Sequence, residues 1–240
     1  MLDVHPPPHA AHGWRDFFVH IVTIVIGLLI AIGLEQAVEG IHHRQEVSEA
    51  RAAIAQERIE NQHQFATTTE LFRGETKRFQ RNLAVLQYLQ QHPGAAPESW
   101  PGKISWHCYI TAFSTAAWQA AQHSGVTTRM SPADVRQLEH LYDQLGVVQA
   151  SSAERLRAIS AARRYTASDA NPSRLTETQL ANEIERAEAV LIAHYRLGGD
   201  MRNLHAIYAD FTPSPDTEEL RAIVHEQPLT EEQQRELGRP

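Results

Sequence analysis

The feature that most constrains this chain is a run of eighteen residues without a formal charge, from Phe17 to Leu34. An α-helix of that length covers about 27 Å, close to the hydrocarbon thickness of a bilayer. Trp14 precedes the run, and an indole ring prefers the headgroup level of a membrane. Three interpretations follow: a permanent membrane anchor, a cleaved secretion signal, or a buried core helix.

The sequence around this run favours the anchor. A core helix of a soluble domain would show a polar face, and the run has none. A cleaved signal would begin with a basic segment and end in helix-breaking residues. Here the sequence that follows is strongly helix-forming, with Gly40 as its only turn-forming residue. Ala31 and Gly33 nevertheless have the small size that a cleavage site needs.

The orientation of the anchor is left open by the charges beside it. Arg15 lies on one side of the run, and Arg44 and Arg51 lie on the other. The excess of cations gives a slight preference for a cytoplasmic C-terminal portion. Long domains cross membranes with little regard for so small a bias, so the side of the soluble part is not decided.

The chain divides into four predicted segments. Residues 1–13 form a flexible Pro-rich tail, and residues 14–40 form the transmembrane anchor helix. Residues 41–211 form a helical bundle domain. Residues 212–240 carry seven carboxylates against three arginines and form an acidic, mobile tail.

Helix signals punctuate the first half of the bundle domain. A helical pattern continues from the anchor to about Gln91, where the sequence HPGAAPESWPG stops it. Ser114 and Gly125 are suited to cap the two ends of a short helix. The sequence ISWHCYITAF, which directly precedes Ser114, is rich in β-branched and aromatic residues, which indicates a segment that is either extended and buried or irregular.

Two longer helices are predicted in the second half. Ser131 caps the first of them, with Pro132 in its first turn and Asp134 completing a capping box. The second runs from about Thr176 to Tyr208, with a kink or break expected near its paired glycines. Short polar connections favour antiparallel neighbours. The predicted fold is therefore all-α: one N-terminal transmembrane helix continues into a long helix, which packs with an antiparallel helical bundle.

A seven-residue apolar repeat marks one face of the long helix. Its members are Phe65, Phe72, Phe79 and Leu86. Such a repeat keeps one seam facing a partner helix. The seam predicts packing against the later helices of the same chain, with an intermolecular coiled coil as the alternative.

Small residues mark one face of the anchor. Thr23, Gly27 and Ala31 recur at intervals of four residues. This spacing lets two helix backbones approach closely in a membrane, so the face is a candidate for lateral helix association.

The sequence carries no recognisable catalytic chemistry. It has no Gly-rich phosphate loop, no serine elbow and no dinucleotide fingerprint. We therefore predict that the chain is not an enzyme, with no catalytic residues and no cofactor. A net charge of −7 argues against a nucleic-acid partner. The single Cys108 excludes a cysteine-cluster metal site.

Two groups of charged residues are candidate binding sites. Glu39 and His43 lie one helical turn apart, but a stable metal site needs three or four ligands of fixed geometry. They are interpreted as a surface ion pair, and no metal site is predicted. Four arginines cluster toward the end of the helix that Ser131 caps, and they are interpreted as a solvated face that complements the helix dipole; these are Arg155, Arg157, Arg163 and Arg164.

Two stretches carry a family resemblance. The sequence RDFFVHIVTIVIGLLIAIGLEQAVEGIHHR resembles the anchor of a family of bacterial single-pass inner-membrane proteins whose domain has no known function. The sequence STAAWQAAQHSG is similar to a second recurring segment of that family. The resemblance implies an anchor-plus-helices layout in the bacterial inner membrane, and it implies no activity. The residues that match are Gly27, Glu35, His42, His43, Trp118, Ser124 and Gly125.

The predicted function is that of a membrane-anchored helical scaffold or accessory interaction protein. Its predicted partners are the lipid bilayer and either a second copy of the chain or another membrane protein. Glu35, Glu39, His42 and His43 are candidate partner contacts at the membrane edge, and Glu35 is favoured because no internal partner for it is evident in the sequence. The alternative is an envelope sensor or ligand-binding helical domain.

Overall fold

Four α-helices make up most of the part of the chain that the structure describes. The computed structural model describes residues 13–164, 166 and 171–213. The helices are α1 (Trp14–Gln91), α2 (Ala116–His123), α3 (Pro132–Ala162) and α4 (Glu177–Ile207). Short 3₁₀ helices cover Pro97–Ser99, Val126–Arg129 and Pro172–Arg174. No β-strand occurs within the described residues, so the predicted all-α class is confirmed. The predicted terminal tails lie outside the described residues, apart from positions 13, 212 and 213.

Helix α1 is unusually long and has two different halves. Its 78 residues correspond to about 117 Å. From residue 14 to residue 39 every described side chain is exposed, and burial begins beyond Gly40. The most apolar 18-residue window in the exposed half has a mean hydropathy of 2.7, with none of it buried. Among the described residues, this is the one helix long and apolar enough to cross a membrane.

The second half of α1 forms a bundle with α3 and α4. Helix α4 runs antiparallel to both of its neighbours, so α1 and α3 run parallel to each other. Two contacts on each side fix these directions: Arg58–Asp210 and Thr76–His194 between α1 and α4, and His140–Tyr208 and Arg155–His194 between α3 and α4, where Tyr208 and Asp210 directly follow α4. The predicted antiparallel packing therefore holds for the two interfaces of α4.

The seven-residue repeat of α1 lies in the core of this bundle. Phe65 and Phe72 are each 1% exposed, and Phe79 and Leu86 are fully buried. Phe72 stacks on the imidazole of His194 in α4, with ring centroids 3.8 Å apart. The repeat thus faces the chain's own helices and offers no surface to a second molecule.

An extended segment replaces a fourth long helix. Residues 103–115, which we call the strap, have no regular secondary structure and run back along α1. The strap's Ser105 contacts Asn82, and its Ser114 contacts Asn61. The 21 residues between the two asparagines rise about 32 Å along a helix, and nine extended residues cover about 30 Å. This match explains why α1 and α3 are parallel: the strap carries the chain back to the start of the bundle.

The helix ends follow the predicted signals with two differences. Gly125 has a left-handed φ of 73°, and the Ser131 hydroxyl accepts the amide of Asp134, both as predicted. The residue that precedes α2 is Thr115, one position after the predicted Ser114. Helix α4 passes through Gly198 without a break, because Gly198 fits against the ring of Phe72. The expected break there was wrong.

The close approach at Gly198 generates a matched pair of substitutions. A Cβ atom at Gly198 would lie 2.7 Å from Cζ of Phe72, whereas one at Gly199 would meet nothing within 4 Å. We expect Gly198→Ala to lower the free energy of unfolding by about 1–3 kcal/mol, because Phe72 is enclosed by the core. Gly199→Ala should be neutral or raise it by up to about 1 kcal/mol. Thermal unfolding of both full-length variants in detergent tests this, and equal effects would contradict the packing.

Candidate functional site

The small-residue face of the anchor is open to its surroundings. Gly27 and Ala31 are exposed, and a Cβ atom at Gly27 would meet no other atom within 4 Å. The Thr23 hydroxyl donates to the carbonyl oxygen of Val19 at 2.8 Å, so its polar group is satisfied within the helix. The three residues therefore present small apolar surface and nothing that the same chain covers.

The predicted membrane-edge residues follow this face toward the C-terminal end of α1, still on or next to its exposed part. Glu35, Glu39 and His42 are exposed, and His43 is half-buried. Nε2 of His43 lies 3.6 Å from Oε1 of Glu39, the ion pair expected from their spacing. Within the described residues, no group of three or more His, Cys, Asp or Glu side chains could hold a metal ion.

Three residues of the stretch STAAWQAAQHSG shape the junction between α2 and the bundle. Trp118 is 5% exposed and stacks on Tyr142 of α3, with ring centroids 5.5 Å apart. Ser124 ends α2, and Gly125 makes the left-handed turn that follows it. Their positions are those of a core aromatic residue and a helix stop.

A buried carboxylate holds the start of α2. Glu57 of α1 is 5% exposed. It accepts hydrogen bonds from the Tyr142 hydroxyl at 2.6 Å and from the Ser114 hydroxyl at 2.7 Å. It also accepts the backbone amides of Ala117 at 2.8 Å and Trp118 at 3.4 Å. Since the first amides of a helix have no intrahelical partner, Glu57 supplies from α1 the cap that α2 lacks in its own sequence.

These contacts fix the ionisation of Glu57. Burial opposes its charge, but the hydrogen bonds from Tyr142, Ser114 and the two amides outweigh that effect and lower the pKa of the carboxyl. Burial and the hydrogen bond to Glu57 raise the pKa of Tyr142, which therefore stays a donor. The pair joins α1 to α3 beside the strap residue Ser114, which also contacts Glu57.

A second seven-residue repeat in α1 is polar and binds the strap. Its members are Asn61, Thr68, Glu75 and Asn82, and all four are buried. Asn82 donates to the carbonyl oxygen of Ser105 at 2.7 Å and accepts its amide at 2.9 Å. Asn61 does the same to Ser114, at 2.8 Å in both directions. The repeat thus satisfies backbone groups of the strap that no strand or helix pairs with.

Arg155 lies at the centre of the bundle, and its interpretation as a solvated residue was wrong. Its side chain is fully buried, and Nη1 lies 2.6 Å from Oε2 of Glu75. Nη2 donates to the carbonyl oxygen of Tyr109 in the strap. Glu75 in turn accepts the amide of Tyr109. Arg155 therefore joins α1, α3 and the strap at one residue of each.

Burial raises the pKa of Glu75, and the charge of Arg155 offsets part of that rise. The same Nη1 atom of Arg155 also lies 3.3 Å from Nδ1 of His194 in α4. We call Glu75, Arg155, His194 and Tyr109 the central clasp.

The tautomer of His194 follows from its neighbours. Arginine only donates hydrogen bonds, so Nδ1 must be an acceptor and the proton must lie on Nε2. Nε2 lies 2.9 Å from the hydroxyl of Thr76, which itself donates to the carbonyl oxygen of Phe72. Burial, with the charge of Arg155, lowers the pKa of His194 to about 3. The imidazole is therefore neutral at physiological pH.

The central clasp is held together by hydrogen bonds within the fold. Nε of Arg155 is buried without a partner among the described residues. A shallow hollow of about 330 Å³ lies beside the clasp, lined by Glu75 and Tyr109 together with Arg78, His107 and Cys108. Burial raises the pKa of the Cys108 thiol, which reduces the reactive thiolate.

A second hollow lies at the start of the bundle, between α1 and α2. Its volume is about 560 Å³, which falls within the range of small-molecule sites. Half of the residues that line it are alanines, and Glu46, Glu49 and Arg129 are its charged residues; the alanines are Ala50, Ala53, Ala117, Ala120 and Ala121. None of the residues that line the hollow was predicted from the sequence to bind a ligand; Ser124 was named there only as a structural residue.

Sequence reasoning missed the polar repeat and the central clasp. The signal was present, because Asn61, Thr68, Glu75 and Asn82 have the same spacing as the aromatic repeat. Polar residues at that spacing are normally assigned to a solvated face. Nothing local shows that an extended segment returns to cover them.

No protein family, curated protein or solved structure matches this chain.

Removing Arg155 should be far more costly than removing its neighbour Arg157. Arg155→Ala leaves Glu75 buried without its cation, and we expect a loss of about 3–5 kcal/mol in the free energy of unfolding. Arg157 is exposed, so Arg157→Ala should change it by less than about 0.5 kcal/mol. Denaturant unfolding of the full-length chain in detergent measures both. Similar losses for the two variants would show that the central clasp is not formed.

The neutral His194 predicts a pH dependence of stability. Its folded pKa lies below that of an unfolded histidine, about 6.5, so protons bind the unfolded state more strongly between these values. Stability therefore falls as the pH drops through about 6.5, with this residue accounting for about 2 kcal/mol by pH 5.

The matched variant for this prediction is His194→Gln, whose amide can still donate toward Thr76 and accept from Arg155. We expect the variant to lose about 2 kcal/mol less than the wild-type chain between pH 8 and pH 5. Unfolding curves at both pH values provide the comparison. An unchanged difference between the two pH values would place a charged imidazole in the folded protein.

Proposed function

We propose that the protein is a membrane-tethered helical interaction module, in which α1 connects a bilayer to a bundle. The observation that carries the proposal is the continuity of α1. One unbroken helix contains an exposed apolar half and a half whose aromatic and polar repeats build the bundle core. A flexible linker would leave the two parts independent, whereas a continuous helix fixes the bundle relative to the membrane surface.

Two features support an anchor over the other interpretations of the apolar run. A buried core helix would contact other elements, and none of the apolar window is buried. A cleavage site at Ala31 and Gly33 would lie inside regular helix, about six turns before Ile54, the first buried side chain of α1. Bacterial inner-membrane location is part of the proposal and rests on the family resemblance.

The buried polar groups support a scaffold role. Glu57, Glu75 and Arg155 are used to join elements of the fold, and their hydrogen bonds go to backbone and side chains of the same chain. A catalytic group must be reachable by a substrate; of these three, Glu75 lines the shallow hollow, whereas Arg155 is fully buried. The exposed face of α1, which the bundle does not cover, is therefore the surface that we propose for recognition of another protein.

The alternative is an envelope sensor or ligand-binding domain. The hollow between α1 and α2 favours it, because its size and mostly apolar wall suit a small molecule. A ligand-dependent rise in the melting temperature, abolished by Ala120→Trp in the wall of the hollow, would support this alternative over the scaffold.

The anchoring prediction concerns how the full-length chain leaves native membranes. We expect it to remain in the pellet after an alkaline carbonate wash and to be extracted by detergent. The double substitution Ile24→Arg with Leu28→Arg should release it, because each buried arginine costs about 2.5–3.5 kcal/mol of insertion free energy. Gln56→Arg, on an exposed part of α1 beyond the apolar run, is the control and should stay in the pellet.

Release of the wild-type chain by carbonate would contradict the anchor. Purification in mild detergent then tests the scaffold role. A stoichiometric second protein would make this chain an accessory subunit, and assemblies containing only this chain would indicate a self-associating module.

A further inference from the structure

One face of α1 has no charge on it from the membrane segment to the middle of the bundle. We call this face the outer stripe. Its residues alternate in steps of four and three and all are exposed: Gly27, Ala31, Leu34, Val38, Ile41, Gln45, Ser48, Ala52, Ala55 and Ile59. The stripe extends over about 48 Å at 1.5 Å per residue.

The outer stripe lies opposite the face that the bundle uses. At about 100° per residue, its members cluster roughly 180° from the buried residues Ile54, Glu57 and Asn61. The solvent face of a bundle helix normally carries charged residues. Here Ile41 is 64% exposed and Ile59 is 58% exposed, both beyond the apolar run. A three-and-four spacing is also the seam of a two-stranded coiled coil.

Charged residues of α1 flank the outer stripe along both of its borders. One border carries Glu35, His42 and Glu49, and the other carries Arg44, Arg51 and Arg58; all six positions follow the seven-residue repeat. In a parallel coiled coil, a residue on one border faces the residue five positions later on the opposite border of the partner helix. Residue 44 of one helix then faces residue 49 of the other.

This register brings opposite charges together. Arg44 of each copy faces Glu49 of the other, twice by symmetry, and the flanking pairs join Ala37 to His42 and Arg51 to Gln56. No two like charges meet. Arg51 is already paired with Asp134 of its own bundle at 2.5 Å. Arg44 and Glu49 are therefore the pair that sets the register.

We propose that the outer stripe is the interface of a parallel homodimer, in which the α1 helices of two copies pack from the membrane to Ile59. This inference rests on the proposed membrane anchoring, which forces both helices to enter the bilayer from the same end. Gly27 and Ala31 allow close approach within the membrane. Ser48, Ala52 and Ala55 allow it outside, and Ile41 and Ile59 fill the seam at either end of these small residues. The two bundles face away from each other, so neither obstructs the contact.

Disulfide cross-linking in native membranes tests the interface. In a Cys108→Ser background, Ala52→Cys and Ala55→Cys place thiols on the outer stripe, within the distance at which a disulfide forms across a parallel pair. Ala53→Cys is the matched control, because Ala53 is an exposed neighbour outside the stripe. With a mild oxidant, we expect at least about tenfold more dimer at positions 52 and 55 than at position 53.

Charge reversal tests the register. In the Ala52→Cys chain, Arg44→Glu or Glu49→Arg alone should lower the dimer yield at limiting expression by about fivefold, since each reversal affects two exposed pairs. The double reversal, Arg44→Glu with Glu49→Arg, restores opposite charges and should return the yield to that of the parent. A double reversal that is no better than the single ones would overturn the parallel register.

The outcomes separate this inference from the proposed function. Equal cross-linking at positions 52, 53 and 55, or only monomer in carbonate-washed membranes, overturns the homodimer and leaves the anchor standing. A cross-linked product whose mass differs from twice that of the chain also overturns it, because the stripe then belongs to another protein. Release of the chain by carbonate contradicts the proposed function itself.

Discussion

The structure depends on how an extended segment obtains its backbone hydrogen bonds. The strap has no strand beside it, and burying its amides and carbonyls without hydrogen-bond partners would cost free energy. One polar repeat of α1 provides the partners, with Asn61 and Asn82 each binding both backbone groups of one strap residue. Because helix and strap have different rises per residue, 21 helical positions match nine extended ones.

The strap determines the arrangement of the remaining helices. By returning the chain to the start of the bundle, it makes α3 parallel to α1 and leaves α4 antiparallel to both. The ion pair of Arg155 with Glu75 locks this arrangement, since it contacts strap residue Tyr109 as well as both helices. A buried ion pair adds little net stability compared with apolar packing, but its loss from one side is costly. It therefore selects one alignment of α1, α3 and the strap.

The fold was predictable where local chemistry decides it, and less so where distant segments meet. The aromatic repeat, Gly125 and Ser131 identified the core face and two helix ends from local spacing. The continuity of α4 through Gly198 depends on Phe72, more than a hundred positions earlier, so sequence alone suggested a break. Arg155 was misassigned for the same reason, because a cation near a helix C-terminus is usually solvated. The role of the membrane-edge residues stays a prediction.

The central claim is that α1 is one straight helix from the membrane to the bundle. The direct measurement is the distance between spin labels at Leu34 and Glu60, in a Cys108→Ser chain diluted with unlabelled protein in a bilayer. A continuous helix places the two backbones about 39 Å apart, so the account predicts a single narrow distribution near that distance. A broad or much shorter distribution would show a hinge near Gly40 and would contradict it.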